Sequence, residues 1–194
     1  MTRRAGLDKA SVIEEAVKLI DEGGLEQLSL GRLADRLGVK VPSLYNHVAG
    51  LTGLRRDLTV YCLRELLGYL TRAVMGRARA EAIFALADAL RDYAREAPGR
   101  YTLTLQAPVP DDAQWQELGK QNVDIVRAVL APYKLDEETT IHAIRSLRSI
   151  SQGFISLELA GGFAIPIDLD ASFHWLVRLY ADGLEQTSLD ALRN

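Results

Sequence analysis

A single cysteine, Cys62, stands in this chain of 194 residues, so no internal disulfide can form and a reducing cytoplasm is the expected home. Its place on an apolar helical face marks it as a packing residue rather than a redox sensor. Histidine is equally scarce. His47, His142 and His174 lie far apart, and no Cys or His pair has metal-ligand spacing. No Gly-rich phosphate loop and no Gly-x-Ser-x-Gly elbow occur. Asp111-Asp112 and Glu137-Glu138 read as helix-start acids rather than catalytic pairs. No metal, no cofactor and no enzymatic activity are therefore expected. No run of 18 uncharged apolar residues exists, which excludes a helical membrane span, and residues 1–8 lack the apolar centre of a signal peptide.

What is present is an ordinary globular composition, 48% apolar and 25% charged. The net charge of −3 argues weakly against nucleic acid, but its distribution matters more. Five basic residues (Arg32, Arg36, Lys40, Arg55 and Arg56) fall within 32–56 against one acid, Asp35. A local basic face on an acidic protein can still attach to phosphates.

Apolar spacing predicts an all-α chain. Asp8 is placed to cap a first helix whose stripe is Ile13, Ala16, Val17 and Ile20, stopped at Gly23-Gly24. Ser29 caps a second, striped by Leu30, Leu33, Ala34 and Leu37; Arg32 at the third position leaves the capping box incomplete. Gly38 turns the chain into a third, short helix with Pro42 in its first turn and Leu44 and Val48 facing inward. Lys40, Val41, Ser43, Tyr45, Asn46 and His47 remain for an outer face. Two short helices about a Gly turn form a helix-turn-helix, the unit that lays its second helix in the DNA major groove. Ser43 and Asn46 can bond base edges or phosphates, Tyr45 and Lys40 suit phosphate, and Val41 suits a thymine methyl.

The elements Ala16, Gly23-Gly24-Leu25, Leu28-Ser29-Leu30, Leu33-Ala34, Leu37-Gly38-Val39 and 42–48 (Pro-Ser-Leu-Tyr-Asn-His-Val) carry a resemblance. Residues 7–58 resemble the DNA-binding domain of TetR-type transcriptional regulators. The resemblance implies an all-helical homodimer whose last two long helices join a four-helix bundle. It implies a palindromic operator in double-stranded DNA and release when a small molecule enters the C-terminal domain. The implied DNA-binding set is Ser29, Arg32, Lys40, Val41, Pro42, Ser43, Tyr45, Asn46 and His47. The chain departs from the family's pattern at three positions. Lys40 stands where a small hydroxyl residue is common, Leu51 where a phosphate-anchoring Lys is common, and Gly31 where a polar residue is frequent. Arg55 and Arg56 are the candidates to replace the lost anchor.

The expected organisation is a helix-turn-helix domain over 1–50 and a helical effector-binding and dimerisation domain over 51–194, with no linker between them. Helices are predicted at about 51–75, 79–96, 136–160 and 171–188. Another starts from Asp111 or Asp112, and a brief helix lies over 101–105. Residues 152–163 resemble the C-terminal domain of the WHG-type TetR subclass, with Gln152 in place of its His. Tyr69, Tyr93, Tyr101, Trp115 and Phe154, together with Phe84, are the candidate aromatic walls of an apolar effector pocket. His142, Arg145, Arg148 and Gln152 are candidates for its polar contacts. The leading function is a ligand-responsive repressor. The competing one is a helical small-molecule binding or catalytic protein with a vestigial head, supported by Leu51.

Overall fold

The structure, a computed structural model, describes residues 7–191. Among these are nine α-helices and no strand. Three build the head: α1 (Lys9–Gly23), α2 (Leu30–Leu37) and α3 (Val41–Leu44). Six follow: α4 (Gly50–Val74), α5 (Arg79–Glu96), α6 (Pro98–Thr104), α7 (Ala113–Leu130), α8 (Glu137–Leu159) and α9 (Leu169–Ala191). No described helix is long and apolar enough to cross a membrane.

The helix starts follow from local chemistry. Asp8 accepts the Ser11 N–H at 2.8 Å, Asp112 accepts the Trp115 N–H at 3.1 Å, and Asp136 accepts the Thr139 N–H at 2.7 Å. Each satisfies a backbone donor that the first helical turn leaves unpaired. Ser29 does the same for Arg32, at 3.3 Å. Gly38 ends α2 in the left-handed region, φ 66°, where a side chain would be strained. The reader helix is shorter than expected. Regular α3 ends at Leu44, and Tyr45–His47 continue as a hydrogen-bonded turn in which Leu44 O accepts from His47 and Val48. With Pro42 removing a donor, a one-turn helix has little macrodipole, so phosphate attraction at Lys40 rests on its own charge.

Apolar burial falls into two main cores. The head core joins Val12, Ala16 and Ile20 of α1 to Leu33, Leu44 and Val48. It is closed by Leu54, Leu58 and Cys62 from α4 and by Leu103 from α6. Each fully buried Leu of this kind contributes about 1.5–3 kcal/mol. The body core takes Leu66 and Leu70 from the later turns of α4, with Ile83, Tyr93, Leu147, Ile155, Phe173 and Val177. Helix α4 therefore belongs to both cores.

One buried ionic cluster ties the body together. Arg91 of α5, 3% exposed, grips Glu158 of α8 with two bonds of 2.8 Å and reaches Asp170 of α9 at 2.9 Å. Its guanidinium lies over the rings of Phe154 and Phe173. The Arg91 hydrogen bond holds the Glu158 carboxyl below its ordinary range.

Candidate functional site: a DNA-reading head and an apolar cavity

Of the residues expected on the outer face, Lys40, Tyr45 and Asn46 are in solvent, while Val41 packs against the head core. Tyr45 is 60% exposed although its neighbours Leu44 and Val48 are buried. It is the one large apolar side chain that the described head leaves in solvent. Lys40, Pro42 and Asn46 are exposed beside it, and Val41, Ser43 and His47 are half-buried. Arg32 is exposed on α2. Ser29 is half-buried, with its hydroxyl oxygen engaged by the Arg32 N–H.

The basic residues divide by partner. Arg36 of α2 is spent on structure, bonding Glu15 of α1 at 2.6 Å and Glu22 at 2.9 Å. Arg56 is equally occupied. It meets Asp112 at 2.5 and 2.6 Å and Asp57 at 3.0 Å. That corrects the expectation that Arg56 stands in for the missing phosphate anchor, because its charge is already matched and its geometry fixed. Among the described residues, Arg32, Lys40 and Arg55 pair with no carboxylate. Of the two candidates for the anchor, Arg55 alone has a free guanidinium.

The second site is a partly open cavity of about 680 Å³ lined by α4, α5, α6, α7 and α8. That volume lies within the range of sites for drug-sized molecules. Its walls are Leu63, Leu66 and Leu70 of α4, Leu86, Ala87 and Leu90 of α5, Val126 of α7, and Ile144 and Leu147 of α8. Tyr101 and Trp115 line it, with Thr104, Asn122, Arg145, Arg148, Ser151 and Gln152 as polar members. Four buried polar atoms in this lining have no protein partner: Tyr101 Oη, Trp115 Nε1, Asn122 Oδ1 and Ser151 Oγ. Burial pushes the Tyr101 hydroxyl up to about 12, opposed by the nearby Arg148 charge. Buried polar groups are ordinarily hydrogen-bonded, so orphans gathered around one void mark a place for a polar ligand group.

Four of the expected aromatic walls lie elsewhere. Tyr93 donates to Glu65 at 2.9 Å and sits edge-on to Tyr69, 5.3 Å between rings; the Tyr69 hydroxyl goes to Glu96. The carboxylates of Glu65 and Glu96 draw both phenols away from the cavity. Phe154 packs against Phe163 and Phe173 beneath Arg91, and Phe84 against His174. His142 also falls outside the lining, exposed on α8 near Glu138. Asn122 was missed, although it follows Trp115 by seven residues, two turns along one helical face.

Helix α6 touches both the cavity and the core of the head. Tyr101 looks into the cavity, and Leu103 is buried in the head core. Gly99 backs onto α1 so closely that a Cβ there would stand 2.7 Å from the Ile20 carbonyl oxygen. Arg100 bonds Asp21 of α1 at 2.9 Å and Glu65 of α4 at 2.6 Å. Seven residues thus join the wall of the void to the first helix of the head. Among the described residues no group of three or more His, Cys, Asp or Glu side chains could hold a metal ion.

A helix-turn-helix head fused to a helical body with an apolar cavity defines a transcriptional regulator with DNA-binding and ligand-binding parts. Comparison with known proteins gives the family. The family described as "Bacterial regulatory proteins, tetR family" matches residues 12–47, and "Tetracyclin repressor-like, C-terminal domain" matches 83–180. An uncharacterized HTH-type transcriptional regulator of Mycobacterium tuberculosis is 36% identical, over 96% of this chain and 85% of its own length. Another, from Bacillus subtilis, is 32% identical over 95% of this chain and 96% of its own length. A TetR variant of Acinetobacter baumannii, crystallised with minocycline, has the same fold (TM-score 0.72, 21% identity, 94% of this chain and 98% of that one). The chain belongs to the TetR family of transcriptional regulators.

Proposed function

We propose that the chain acts as a homodimeric cytoplasmic repressor that binds a palindromic operator and leaves it when a small apolar effector fills the cavity. The observation that carries this reading is the double contact of α6, with Tyr101 at the cavity and Gly99, Arg100 and Leu103 at the head. A ligand that displaces Tyr101 moves the element against which α1 rests. Two reader segments must sit about 34–36 Å apart to enter successive major grooves, so a small rotation of each head spoils the fit. Coupling of about 1–3 kcal/mol changes operator affinity about 5–150-fold.

Dimerisation is supported by the outer faces of the last two helices. Trp175 is 64% exposed, and Leu157 and Leu179 are also in solvent. On α8, Ser149, Gly153 and Ser156 are small and exposed, which lets a partner helix approach. A monomer rarely leaves such a surface open. DNA contact is assigned to Arg32, Lys40, Val41, Pro42, Ser43, Tyr45, Asn46 and His47, with Ser29 at the α2 cap and Arg55 as phosphate anchor. The test is a gel shift on the promoter of the flanking genes, in graded salt. A specific band that weakens with salt supports the reading, and no specific band at any salt removes it.

A further inference from the structure

We propose that the cavity takes an apolar carboxylic acid, its carboxylate held by the Arg148 guanidinium together with the Tyr101 and Ser151 hydroxyls. The assignment rests on the reading of this cavity as the effector site.

The first argument is the sign of the unmet hydrogen bonds. Three of the four orphaned atoms, Tyr101 Oη, Trp115 Nε1 and Ser151 Oγ, bring a proton to donate. The Asn122 oxygen is the one pure acceptor, oriented by its amide nitrogen, which donates to Leu63 O and Leu118 O. Tyr101, Trp115 and Ser151 are each at least nine-tenths buried, so each unmet bond carries a desolvation cost. A lining rich in unpaired donors calls for a ligand group rich in lone pairs, and a carboxylate offers about four acceptor sites.

The second argument is charge. Arg145 and Arg148 both line the cavity, and among the described residues neither meets a carboxylate. The Arg148 guanidinium makes one hydrogen bond, to Leu105 O at 3.1 Å. Leu105 closes the helix that carries Tyr101, and the Arg148 charge lies near enough to act on the Tyr101 hydroxyl. The other charges in the lining cancel or are drawn off. Asp124 is taken by Lys120 at 2.7 Å, and Arg127 by Glu137 at 2.8 Å. What remains is the positive field of two solvent-exposed guanidiniums, Arg145 and Arg148, beside an apolar lining. Such a field favours an anion with a hydrocarbon or aromatic body and disfavours a lipophilic cation.

The test is calorimetric titration of the full-length protein with decanoate, 1-decanol and decylammonium, each kept below its micelle concentration. Decanoate is expected to bind at least about tenfold more tightly than 1-decanol, the scale of a charge-assisted hydrogen bond, with decylammonium weakest. Arg148→Ala should erase the advantage of decanoate and leave 1-decanol unchanged, and Arg148→Lys should keep part of it. Tyr101→Phe, an independent variant, should lower decanoate affinity alone. The assignment is overturned if 1-decanol or decylammonium binds as tightly as decanoate, or if Arg148→Ala preserves the preference. Binding of 1-decanol without decanoate sinks the carboxylate and spares the effector site. If decanoate, 1-decanol and the neutral dye Nile red all fail to bind, the effector-site reading itself falls and takes the assignment with it.

Discussion

The Arg100 guanidinium donates to the Asp21 carboxylate at 2.9 Å, joining a residue next to the cavity wall to the first helix of the head. The same guanidinium holds Glu65 of α4, so α1, α4 and α6 meet at one cation. If this junction carries effector binding to DNA, Asp21→Asn should bind operator nearly as well as the parent. Its effector-induced release should shrink severalfold within the about 5–150-fold span of ordinary allosteric coupling. Operator titrations with and without effector read this directly, and full release in the variant removes the junction from the pathway.

Gly99→Ala should destabilise the fold by about 1–3 kcal/mol, the usual scale of forced overpacking. The added methyl would stand 2.7 Å from the Ile20 carbonyl oxygen, a backbone atom with no rotamer to retreat into. Thermal denaturation measures the loss. Trimming Ile20 to Val should not restore stability, because the collision is not with the side chain.

Tyr45→Phe removes one hydroxyl from an exposed ring and leaves the buried residues around it intact. It should weaken DNA binding by about one hydrogen bond, roughly 1 kcal/mol or about fivefold, equally for all sequences. Binding to a panel of operator variants is the check. A changed order of preference would place Tyr45 on a base instead. Asn46→Ala, by contrast, is expected to alter that order if its amide reads a base edge.

Asp112 gives the stability a pH dependence of known sign. The Arg56 hydrogen bond, and after it the Trp115 N–H, hold its carboxyl below the ordinary 3.8, at about 2. A group whose folded pKa is depressed adds stability above its unfolded value and loses it as pH falls through the folded one. The contribution should therefore be whole above about pH 4 and fade toward pH 2. Asp112→Asn keeps an oxygen to cap α7 and deletes the charge. Urea midpoints of the two proteins should differ at pH 7 and converge near pH 2.

Trp175→Glu places a charge on the exposed face of α9 and should convert a dimer to a monomer. Light scattering after size exclusion gives the mass, and a parent protein already monomeric ends the dimer proposal.

Much of this architecture could be read from local spacing. The caps at Asp8 and Ser29 and the turn at Gly38 are decided within a few residues and form as the sequence predicts; of Asp111 and Asp112 the second is the cap, and Asp136, expected as the first residue of α8, caps it instead. Tyr45 and Asn46 fall on the outer face because Leu44 and Val48 are turned inward. The cavity was far less readable. Aromatic residues look alike in sequence, and their destinations depend on distant partners. Tyr93 is fixed by Glu65, Phe154 by its place beneath Arg91, and Arg56 by an aspartate 56 positions away. Helix 3.6-residue periodicity says which side of a helix is apolar, not which neighbour it will meet.

Leu54, Leu58 and Cys62 put three turns of α4 inside the head, and Leu103 adds a wall from still later in the chain. A chimera spliced at residue 50 to borrow this reader for another sensor would inherit an unroofed bundle. The workable exchange runs the other way: new recognition residues are grafted onto the surface around Tyr45, and the host keeps its own α4 and α6.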